Sequence, residues 1–115
     1  EELVGEAIVA LAALGVPRET LWIQTKFTPF AGQDETVATV PYDPTASVYD
    51  QVMQSFLQSQ RNLRSSYVDS LLLHSPMESL ERTLTAWSAL EELHFRGQAR
   101  RLGISNCYSL DFLSA

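Results

Sequence analysis

The chain has 115 residues, with 14 Asp and Glu against 8 Lys and Arg, a formal charge of −6. That length is one domain at most. Its 45% hydrophobic and 19% charged residues suit a globular chain rather than a disordered one, and its acidic balance without a Lys/Arg cluster excludes a nucleic-acid partner.

The longest apolar run, 7–16, is too short to cross a bilayer, so no membrane partner is expected, and nothing basic precedes it as a signal peptide requires. A single cysteine, Cys107, leaves no internal disulfide and no Cys-based zinc site, and it suits a reducing, cytoplasmic setting. The sequence begins at Glu1 and stops at Ala115 just inside an apparent helix, and reads as a piece of something larger.

Residues 1–14 place Val4, Ala7, Ile8, Leu11 and Leu14 on one helical face. Glu1 and Glu2 favour the positive end of that helix's dipole, and Gly15 and Pro17 stop it. The run 20–27 (TLWIQTKF) has the β-branched and aromatic content of a strand. A stretch of about 19 residues, 28–46, carries Pro29, Gly32, Pro41 and Pro44 and reads as a long loop, a length that is usually functional or disordered. A second helix is predicted over 48–64, with Ser47 as its cap and Val48, Val52, Phe56, Ser59 and Leu63 on one face. The nearly continuous apolar run 68–74 (VDSLLLH) has the pattern of a strand buried on both faces of a parallel sheet. A third helix begins after Ser79, carries Leu80, Leu84, Trp87, Leu90 and Leu93 on one side, and closes at Arg96-Gly97. Residues 99–105 (ARRLGIS) form a third strand, and Ser109 starts another helix.

This strict alternation means three parallel strands with right-handed crossovers and helices covering the sheet, an α/β fold. Three strands alone leave two unpaired edges. An open doubly wound sheet and a closed barrel would both complete them, and periodicity does not choose.

Ligands in such folds sit at the carboxyl ends of the strands. Those ends carry Lys26, His74, and Ser105 with Asn106. Alternation puts Trp22, Gln24 and Lys26 on one face of the first strand and Ser70, Leu72 and His74 on one face of the second, so Lys26 and His74 converge if the strands are neighbours. Each has a plainer explanation: a solvated lysine at a strand end, a rim histidine, a Ser-Asn turn before a helix. His94 sits in the last turn of a helix, where the dipole accounts for it, and Trp87 lies on an apolar stripe. The glycines at 5, 15, 32, 97 and 103 fit neither the Rossmann nor the P-loop spacing. Two histidines without neighbouring carboxylates argue against a metal site.

The strings EELVGEAI, WIQTKF, VDSLLLHSP and GQARRLGISNCY, in this order and at these separations, resemble the aldo-keto reductases over nearly the whole chain. The resemblance implies a partial (β/α)8 TIM barrel, from the second barrel helix to the start of the fifth. It makes residues 1–115 the central fragment of one barrel domain, with 28–46 a long βα loop. It implies reduction of small aldehydes and ketones with NADP(H). Lys26 and His74 match the family's catalytic lysine and histidine, and Ser105 and Asn106 the pair that holds the nicotinamide carboxamide. The family's proton-donor tyrosine and its lysine-pairing aspartate fall in a segment upstream of Glu1, so the fragment alone is expected to be inactive. Asp69 has the opposite face parity from His74 and is not promoted to the aspartate's place. Phe30 and Tyr42 are candidate substrate-wall residues of the long loop. Two other readings are a non-catalytic or truncated member of the same fold, which would bind cofactor without turnover or not at all, and a barrel aldolase with Lys26 as a Schiff-base lysine.

Overall fold

The first helix, α1 (Glu2–Ala13), ends where Gly15 takes φ +90°, a left-handed conformation that costs glycine little. The structure, a computed structural model, describes residues 1–29, 40–74 and 77–104. Within them α1 is followed by a 3₁₀ turn (Arg18–Thr20), β1 (Gln24–Phe27), α2 (Val48–Leu63), β2 (Val68–Leu73), α3 (Leu80–Phe95) and β3 (Ala99–Ile104). The helix expected from Ser109 lies outside the described residues, as do Phe30 and Cys107.

Both crossover helices start at serine caps. Ser47 Oγ accepts from the Asp50 N–H at 3.2 Å, and Ser79 Oγ from the Arg82 N–H at 3.1 Å, each pairing a donor that the first turn leaves without a helical partner. At the other end of α3, Gly97 takes φ +77° and His94 Nδ1 donates to the Ala99 carbonyl at 2.9 Å. That carbonyl can only accept, which fixes the histidine in a structural turn.

The strands form one parallel sheet in the order β1-β2-β3. Between the sheet and the helices lies a core of Phe27, Leu71 and Leu73 against Val52, Phe56 and Leu63 of α2 and Ala86, Ala89, Leu90 and Leu93 of α3, all buried. Each large apolar side chain buried there contributes about 1.5–3 kcal/mol. The fold is that of a partial α/β barrel wall.

Several expected details shift. The first strand is only Gln24–Phe27, because the residues ahead of it bond elsewhere: Thr20 Oγ1 donates to the Pro17 carbonyl at 2.7 Å and Arg18 to the Leu21 carbonyl at 3.0 Å. Among α1 residues only Gly5 and Ile8 are buried, while Val4 and Leu14 are exposed; α1 touches α2 along a narrow line rather than a broad stripe. The face of α3 that meets the core is Thr83, Ala86, Ala89, Leu90 and Leu93, leaving Leu80 and Leu84 exposed and Trp87 half-buried. Alanines let the helix axis approach the sheet, so the buried face centres on the small residues and not on the largest ones. No helix among the described residues is long and apolar enough to cross a membrane.

Candidate active site at the strand ends

The register fixes which side chains share a face. Gln24, Ser70 and Arg101 form one row across the sheet, Lys26, Leu72 and Gly103 the next in the same parity, and Phe27, Leu73 and Ile104 a row of opposite parity. Phe27 and Leu73 are buried under the helices, so alternation points Lys26 away from them, and Lys26 is exposed. His74 stands one residue past β2. Its N–H donates to the Phe27 carbonyl at 2.9 Å, which prolongs the ladder and sets the half-buried His74 in the parity of Leu72 and Lys26. The two residues belong to adjacent strands and are offset by two positions, roughly 6.6 Å of rise.

β3 ends at Ile104, and Ser105 and Asn106 lie outside the described residues. Gly103, two residues before Ser105, has no room for a side chain, since an added Cβ would come within 2.7 Å of Leu72 Cδ2. The third strand therefore contributes no side chain beside Leu72, whose own side chain covers that position.

Next to Lys26, along the outer edge of β1, run two clefts. One of about 210 Å³ is lined by Glu1, Thr25, Lys26, Thr28, Pro41, Ser55 and Ser59. Another of about 370 Å³ is lined by Glu1, Val4, Gln24, Thr25, Lys26 and Leu63. Glu1 forms their shared wall. Its carboxylate accepts from Thr25 Oγ1, from Ser59 Oγ at 2.7 Å and from Asn62 Nδ2 at 3.2 Å. Glu1 thus ties the start of α1 to β1 and α2, a role that its position in the sequence hid behind the helix-dipole argument.

Tyr42 does not face the Lys26 side. It is buried in the helix-side core, its ring 5.3 Å from that of Phe27 and its hydroxyl donating to the Thr28 carbonyl at 2.7 Å. Asp69 keeps the parity opposite to Lys26 and is engaged at the other end of the sheet. It binds Arg18 at 3.1 Å and accepts from the Ile23 N–H at 2.7 Å. Arg18 also reaches the Tyr67 carbonyl and Ser65 Oγ, and stacks 4.2 Å over the Tyr67 ring. Sequence reasoning missed Arg18 altogether; a polar clasp closed by contacts about 50 residues apart leaves no local signal. No group of three metal-ligating side chains occurs among the described residues.

What this arrangement can do depends on its donors. An ammonium and an imidazole at the carboxyl ends of neighbouring strands offer charge stabilisation and a hydrogen-bond donor to one oxygen atom.

The sequence matches the model of the Aldo/keto reductase family over residues 1–113. It is 29% identical over 92 residues to the 9,11-endoperoxide prostaglandin H2 reductase of Trypanosoma cruzi, covering 80% of this chain and 26% of that protein. Its structure is similar to an aldo/keto reductase of Brucella melitensis, with a TM-score of 0.70 at 25% identity over 98% of this chain and 37% of the other. It is also similar to an aldo-keto reductase of the silkworm Bombyx mori complexed with NADPH, with a TM-score of 0.72 at 24% identity over 98% of this chain and 32% of the other. The chain thus spans between about a quarter and just over a third of the length of these relatives.

Proposed function

The chain belongs to the aldo/keto reductase family, and we propose that it is the middle of a barrel enzyme that reduces small aldehydes or ketones to alcohols with NADP(H). The observation that carries this reading is the placement of Lys26 and His74 on one face of adjacent parallel strands, at the ends where barrel enzymes build their sites. The NADPH complex of the silkworm relative supports the choice of cofactor, and Ser105 and Asn106 are the residues assigned to hold its carboxamide.

A bound reduced nicotinamide supplies a hydride to the carbonyl carbon. The protein must then deliver a proton to the oxygen, which requires a general acid. In this reading the acid is the tyrosine that the family carries upstream of the Glu1 position, and Lys26 lowers its pKa. Bringing a phenol from about 10 to about 7 takes roughly 4 kcal/mol. One ammonium at about 4 Å, at an effective dielectric of about 20, provides that much. Lys26 must stay charged to do so, which is the task of an upstream aspartate. His74 donates to the carbonyl oxygen and fixes its orientation.

The test is oxidation of NADPH by an aromatic aldehyde in the whole protein. Lys26→Met lowers the rate by about two to four orders of magnitude, the usual contribution of acid–base machinery. Equal rates in the two proteins overturn the assignment.

A further inference from the structure

On the same face as Lys26, one row nearer the amino ends of the strands, lie Gln24, Ser70 and Arg101. Arg101 does not rise toward the site. Its guanidinium lies 5.5 Å from the ring centre of Trp22, which precedes β1, so the side chain reaches across the sheet toward the amino end of β1.

Closing the barrel turns this face into the packed interior. An arginine stays protonated in any protein environment. A charge moved into that interior without a counter-ion is strongly unfavourable, and stacking on an aromatic ring offsets only part of that cost. The described residues place no carboxylate on this face: Asp69 has the opposite parity and holds Arg18, and Glu1 is bonded to Thr25, Ser59 and Asn62. Lys26, one row above, adds to the positive charge. We propose that Arg101 is one half of an ion pair inside the closed barrel, below the substrate cavity, and that an Asp or Glu on a strand outside this segment is the other half.

This inference rests on barrel closure and not on carbonyl reduction, so either can fail alone. In the whole protein, Arg101→Lys retains the charge and melts within a few degrees of the parent. Arg101→Met, similar in length but uncharged, melts on the order of 10 °C lower at pH 7. Part of that deficit disappears at pH 5, where the orphaned carboxylate takes up a proton. A Met variant as stable as the Lys variant, or a deficit identical at both pH values, overturns the proposal. Should Arg101→Met fail to fold, a folded Arg101→Lys supports the pair, and failure of both variants refutes it.

Discussion

The N–H of His74 donates to the carbonyl of Phe27 at 2.9 Å, and this one bond decides where the imidazole goes. Phe27 belongs to the helix-side row and is buried, so a residue continuing the ladder past Leu73 falls in the opposite parity, with Lys26. A chain that left the sheet at Leu73 would free His74 to turn in any direction.

The first prediction concerns that imidazole. If His74 donates to the substrate oxygen, its contribution is felt as charge builds on that atom. In the whole protein His74→Ala lowers kcat about 10²–10³-fold, as loss of one preorganised donor does. A purely binding role would raise KM and leave kcat alone. Steady-state kinetics that show only a KM change would remove His74 from the chemistry.

At the opposite end of the sheet Arg18 and Asp69 are both largely shielded, with side-chain exposures of 14% and 8%. Removing one partner strands the other. Arg18→Met and Asp69→Asn should each destabilise the whole protein by about 3–5 kcal/mol. The double variant should lose clearly less than the sum, which denaturant melts of the four proteins measure. Additive losses would show that the two side chains do not depend on each other.

Much of this architecture was legible in the sequence because it is periodic. The apolar spacing of α2 and the serines before α2 and α3 are local signals. They name the face and the first turn, and Val52, Phe56 and Leu63 are buried as expected. Alternation within short strands likewise put Lys26 and His74 on one face, as the register does. The misses have non-local causes. The buried face of α3 follows Ala86 and Ala89 because the helix packs closely on the sheet, and apolar size alone gave Leu80 and Leu84 a place in the core that they do not have. Of the two readings open to Tyr42, a substrate wall or ordinary loop packing, the structure has the second: the ring packs against Phe27. Glu1 and Arg18 act through partners 24 to 61 positions away, beyond the reach of any window along the chain.

Gly5 illustrates a contact that reverses a propensity. Alanine in a helix interior is ordinarily better than glycine by about 1 kcal/mol. Here an added Cβ would lie 1.8 Å from the Asn62 backbone carbonyl oxygen, which no side-chain rotation can relieve. Gly5→Ala therefore pushes α1 off α2 and costs about 1–3 kcal/mol net, in the range of overpacked cores. The measurement is a thermal or denaturant melt of the whole protein, and a stabilised variant would mean that α1 does not sit against α2.

The last prediction is a titration. On the outer surface, Tyr49 of α2 donates its hydroxyl to the Glu92 carboxylate of α3, and Glu92 also binds Arg96 at 2.7 Å. The bond to Glu92 holds the phenol above its ordinary pKa, with burial and the charge of Glu92 acting the same way and Arg96 opposing them. A raised value means that the native state holds this proton more tightly than the unfolded chain. The link between α2 and α3 is thus fully present below the ordinary tyrosine pKa and is lost as pH rises through the raised one. Because the pair is exposed, its effect on overall stability is small, and the informative readout is the Tyr49 ring resonance followed through alkaline pH. Glu92→Ala should bring that midpoint down toward the ordinary tyrosine value, while Arg96→Ala should move it further up. Opposite shifts in these two variants identify the carboxylate as the cause; a midpoint unmoved by Glu92→Ala would show that the hydroxyl is not bonded to it in solution.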